Sequence, residues 1–94
     1  MRVLVYRLSD FNKAKKLELT IDETLEVSLK YFKLIYEGTV PDDTVIDEIE
    51  NHIKKSLIGD IGDVVLFGKR WFFCASHAWL RVNVTDIAEV WDND

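Results

Sequence analysis

The sequence predicts an α+β fold: a two-layer sandwich of order β-β-α-α-β-β-β, with two helices packed on one face of an antiparallel or mixed sheet. Three observations predict it. Segments near both ends alternate apolar and polar residues, as in "RVLVYRL" and "WLRVNV". The middle carries apolar residues at helical spacing, as in Leu25, Leu29, Phe32 and Tyr36. Residues suited to capping stand where the period changes.

The elements follow in order. In "RVLVYRL", Val3, Val5 and Arg7 point one way, and Leu4, Tyr6 and Leu8 the other. This is a strand rich in β-formers. "SDFNKAKK" is turn-like, and "LELTI" alternates again, so the first two strands are expected to form an antiparallel hairpin. A helix is expected near 22–37. Thr20 and Glu23 have capping-box spacing, Asp22 is an alternative cap, and Gly38 suits a helix end, with Pro41 beyond it. A second helix is expected near 43–58, capped by Asp42 or Asp43. Ile46, Ile49, Ile53 and Leu57 form its stripe, and Gly59 stops it. The last third returns to a period of two. "GDVVLF" and "RWFFCA" flank Gly68-Lys69, where a glycine at the first central position suits a type II′ hairpin. "SHA" is a second turn, "WLRVNV" the returning strand, and "TDIAEVWDND" a short tail.

The opening "LELTIDETLEVSLKYF", preceded by a strand, resembles the hairpin-plus-helix start of ubiquitin-like β-grasp domains. The resemblance covers about forty residues. It implies an alternative fold, a β-grasp-like core with an added C-terminal meander. The ending "WDND" lacks the Gly-Gly that conjugated modifiers need, so the resemblance implies no conjugation chemistry.

Ninety-four residues suit one globular domain, 1–94. No apolar run approaches the roughly 18 residues that span a bilayer, so no membrane partner is expected. A lone cysteine, Cys74, excludes an intrachain disulfide and suits a cytoplasmic setting. The net charge of −5, from 17 acids and 12 bases, disfavours broad binding to nucleic-acid backbones.

"WFFCASHAWL", Trp71 to Leu80, concentrates the chemistry-bearing residue types. A nucleophilic Cys74 would need a base within reach, and an odd separation from His77 puts the two on opposite sides of a continuous strand. Cys-x-x-His supplies two ligands where structural zinc wants four, and the only other histidine is His52. No nucleotide-cradle or hydrolase motif is present. The expectation is therefore no enzyme, no cofactor and no metal.

The aromatics point either to core, with the second sheet face covered by the C-terminal tail that carries Trp91, or to binding. With Leu80, Val82, Phe72 and Cys74 turned to the helices, Trp71, Phe73, Trp79 and Arg81 would share the outer face. Tryptophan, phenylalanine and arginine are enriched at interface cores. Two function classes follow. The first is a small cytosolic non-enzymatic interaction protein that binds and modulates another protein; a homodimer is one candidate form of it, and an inhibitor of phage or mobile-element origin is another, compatible one. The second is a module whose aromatic face takes a nucleotide or single-stranded nucleic acid, a partner that the acidic charge disfavours.

Overall fold

The computed structural model describes residues 1–8, 16, 21, 23–30 and 32–85. They build a six-stranded mixed sheet in the order β2-β6-β5-β4-β1-β3. The strands are β1 Arg2–Arg7, β2 Glu26–Ser28, β3 Lys33–Thr39, β4 Val64–Phe67, β5 Arg70–Cys74 and β6 Trp79–Thr85. β2 runs parallel to β6, and every other pairing is antiparallel. The expected two-helix sandwich is overturned, and the β-grasp alternative loses the helix it needs.

The first strand forms as its alternation dictates. It lies between β3 and β4, so both its faces are covered, and Val3, Leu4, Val5 and Tyr6 are fully buried. Its neighbours are not the expected hairpin partner. Ile21 is helical and buried, and residues 17–20 lie outside the described residues.

The helix expected near 22–37 is replaced by two strands. Ile21, Glu23 and Thr24 are helical, and the Leu25 N–H donates to the Ile21 carbonyl at 2.8 Å, with Leu25 at φ 54°. That is a left-handed helix stop, placed where the capping pattern announces a start. Beyond it Glu26–Ser28 pairs with β6, and the Asn83 N–H donates to the Leu25 carbonyl at 2.8 Å. Lys33–Thr39 is rich in aromatic and β-branched residues and pairs along the whole of β1. This long-range pairing outweighs a modest local helix preference.

The helix expected near 43–58 is also absent. Two 3-10 turns, Ile46–Asn51 and Lys55–Leu57, occupy the segment. The stripe survives without the helix: Ile49 and Ile53 are buried, and Ile46 and Leu57 pack beside them. Neither expected cap serves, since the 3-10 turn at Ile46 has no side-chain cap and the Asp42 carboxylate instead takes the N-terminal ammonium at 2.6 Å. The Gly68 turn fits its reading. Gly68 has a positive φ of 66° and Lys69 does not, as a type II′ hairpin requires.

The connection from β2 to β3 shapes the sheet. These strands are its two edges, five inter-strand steps apart. Laid flat, that is about 24 Å. Five residues of chain from Ser28 to Lys33 reach at most about 18 Å. The sheet must therefore curl toward a barrel. Its inner face holds Leu4, Tyr6, Val64, Phe73 and Val82, closed by Ile21, Val27, Leu29 and Phe32. Its outer face carries Val3, Val5, Val65 and Phe67, covered by Val40, Ile49, Ile53 and Ile58. The two segments expected on one face thus cover opposite faces.

Candidate functional site

Strand register decides which side chains meet. The four residues Ala75 to Ala78 join β5 to β6, closed by the Ala75 N–H donating to the Ala78 carbonyl at 2.9 Å. The register is then Trp71↔Val82, Phe72↔Arg81, Phe73↔Leu80 and Cys74↔Trp79. Odd positions of β5 share a face with even positions of β6.

The four expected surface residues are therefore divided. Trp71 and Phe73 face the inner core, where Phe73 has no exposed surface and the Trp71 ring lies 5.8 Å from that of Tyr6. Trp79 and Arg81 lie outside, across from Cys74 and Phe72. The expected grouping assumed the opposite parity between the two strands. The tail carrying Trp91 lies outside the described residues.

The outer face gains residues that the sequence reading passed over. Phe67 pairs with Arg70 across the hairpin, and Phe67 and Phe72 make an edge-to-face contact at 6.2 Å. Arg70, Phe72 and Cys74 of β5 thus stand beside Trp79 and Arg81 of β6. Phe72 and Trp79 are half-buried; Arg70 and Arg81 are exposed, as is Lys69 in the turn. Among the described residues, the ion pairs of arginine side chains belong to Arg2 and Arg7, so none ties up Lys69, Arg70 or Arg81. The signal available in the sequence was the pair of turn lengths, which fix the parity.

Beside this face is a cavity of about 370 Å³ between the hairpin and residues 42–46. Val45, Ile46, Phe67 and Phe72 supply apolar wall, and Lys69 and Arg70 supply charge. Val45 is 53% exposed, unusual for a valine. Thr44, also in the wall, has its hydroxyl buried with no hydrogen-bond partner among the described residues. Leaving such a group unpaired costs about 1–3 kcal/mol. Asp42 and Met1 line the same cavity, and the Met1 ammonium also donates to the Val40 carbonyl at 2.8 Å. That ammonium, by hydrogen bond and charge, holds the Asp42 carboxyl below its ordinary range.

The acids of "GDIGD" have a different use. Asp63 is fully buried and receives the Arg7 guanidinium in two parallel bonds, Nε to Oδ1 at 2.8 Å and Nη2 to Oδ2 at 2.9 Å. The Asp60 N–H adds a bond at 3.1 Å, and the Asp60 carboxylate lies 3.5 Å from the guanidinium. These contacts raise the Arg7 pKa above its ordinary value, led by the hydrogen bond to Asp63. Arg7 also donates to the Ser56 carbonyl at 3.0 Å, so it clamps the loop to β1.

Cys74, expected on the buried face of β5, is half-buried on the outer one, and its thiol donates to the Gly59 carbonyl at 3.4 Å. His52 and His77 are exposed. Among the described residues no group of three His, Cys, Asp or Glu side chains converges to hold a metal. No helix among them is long and apolar enough to cross a membrane.

Comparison with family models, curated proteins and solved structures finds no match to this chain.

Proposed function

We propose that this chain is a cytoplasmic, non-enzymatic binding protein that modulates another protein, docked on the outer sheet face around Arg70, Phe72, Trp79 and Arg81. The observation that carries this reading is the cluster of Lys69, Arg70 and Arg81, without ion-pair partners among the described residues, beside two half-buried aromatics. Arginines flanking aromatics are what binding hot spots are made of. A local cationic patch on a chain of net charge −5 favours an acidic partner surface, and a second copy of this chain qualifies.

The same interleaving of arginine and aromatics supports a second reading, in which a single strand or nucleotide stacks on Phe72 and Trp79. The overall acidity weighs against it, as does the inward turn of Trp71 and Phe73.

The test is affinity capture with the wild type and an Arg70→Glu/Arg81→Glu variant in parallel, followed by reconstitution from purified proteins. Docking predicts a partner, or a dimer seen by solution mass, lost on charge reversal at an unchanged melting temperature. Identical capture by both proteins would contradict it. Quenching of tryptophan fluorescence by oligonucleotides, absent in the variant, would favour the nucleic-acid reading.

A further inference from the structure

We propose that the cavity beside this face binds the C-terminal residue of the partner chain. The terminal carboxylate lies between Lys69 and Arg70, and the last side chain, apolar, lies against Val45, Ile46, Phe67 and Phe72. This rests on the docking reading and names what is recognised.

The cavity shares Arg70 and Phe72 with the docking face, so one ligand reaches both. Its volume of about 370 Å³ is at the low end for ligand sites, which suits one residue better than a nucleotide. Its wall needs an apolar group, and its two cationic side chains, Lys69 and Arg70, need an anion close to that group. An internal aspartate or glutamate brings the anion without the apolar group. A chain end with an apolar last residue brings both on one residue. The Arg70 guanidinium offers the planar fork that a carboxylate matches. Thr44 belongs to the same wall, and its buried hydroxyl is a donor without an acceptor among the described residues. Capture of chain-terminal carboxylates by convergent donors is an established mode of peptide recognition.

The experiment titrates three probes into the full chain, followed by amide chemical shifts: acetyl-Gly-Gly-Phe as free acid, the same peptide as C-terminal amide, and 3-phenylpropionate. The free acid should shift Thr44, Lys69 and Arg70 and weaken as salt is raised. The amide should bind about tenfold more weakly or worse, as expected for losing a charge-assisted contact. Lys69→Gln and Arg70→Gln, both at exposed positions, should each weaken the acid toward the amide at an unchanged melting temperature.

Equal binding of acid and amide would overturn the proposal, and so would failure of all three probes. Binding of 3-phenylpropionate as tightly as the peptide acid would overturn it in favour of a site for free organic acids. Arg81 does not line the cavity, so Arg81→Glu separates the two readings. Loss of partner docking in that variant, with no peptide binding in the wild type, would sink the cavity assignment and leave the docking face standing.

Discussion

The Arg7–Asp63 pair shows how much one residue can decide. Asp63 has no exposed surface, and its carboxylate depends on the guanidinium. Arg7→Met would leave that charge buried and alone, a loss of about 3–5 kcal/mol. Arg7→Met with Asp63→Leu should recover much of it, because a buried pair is worth little more than its apolar replacement. Denaturant melts of the single and double variants check this; a double variant no more stable than the single would refute it. A contrast between Phe73 and Arg81 tests the division of the aromatic stretch. Phe73→Ala should cost about 3–5 kcal/mol, as for a core phenylalanine. Arg81→Ala, at an exposed position, should stay within about 0.5 kcal/mol. Equal losses in thermal melts would place both side chains in one environment. Leu25 is the one non-glycine described residue at positive φ, and it is 44% exposed. Leu25→Gly should therefore raise stability by about 1 kcal/mol, the usual cost of a side chain in the left-handed region. A lower melting temperature would show instead that the leucine packs to some purpose.

At the scale of elements, burial orders the strands. β1 and β4 are interior, while β2 and β3 are edges. Hydrogen exchange should find the amides of Val3 to Tyr6 among the slowest and those of Glu26–Ser28 among the fastest strand amides. The reverse order would contradict the topology. The β3 edge is itself blunted. Met1 and Val40 exchange both backbone bonds, so the ladder's alternation turns the backbone groups of Glu37 and Thr39 outward. The register then shifts between Val5 and Tyr6, and the outward row loses its phase. An added strand would find no continuous partner, which is why docking is assigned to a face instead of this edge. The same elements explain what was legible in the sequence. β1, the β4–β5 hairpin and β6 were readable because alternation and turn chemistry are local signals. β3 was not, since Leu29, Phe32 and Tyr36 fit a helical stripe as well as they fit a crossing segment and a strand. The isoleucine stripe of 46–57 gave the buried side correctly but not the 3-10 form, because periods of 3.0 and 3.6 are hard to separate over so few turns. Half of the expected surface, Trp79 and Arg81, lies outside, and the parity of β5 against β6 sent Trp71 and Phe73 inward.

For the whole molecule, one curled sheet has both faces in use. The inner face takes the largest buried side chains, Tyr6 and Phe73. The outer face is shared between the isoleucine segment and the cationic margin of β5 and β6. An acidic chain that gathers cations without ion-pair partners among the described residues beside aromatics at that margin has a polarity suited to steering an acidic partner. Docking should therefore weaken as ionic strength rises, chiefly through a slower association rate. Rates measured on the reconstituted complex check this, and salt-independent association would refute electrostatic steering. All of this depends on the register that places Trp71 inside and Trp79 outside. The most direct test is a nuclear Overhauser spectrum of the two indole rings. The Trp71 ring should show contacts to Tyr6, at a ring separation of 5.8 Å, and none to the Trp79 ring. Direct contacts between the Trp71 and Trp79 rings, with none from Trp71 to Tyr6, would put both on one face and contradict the account.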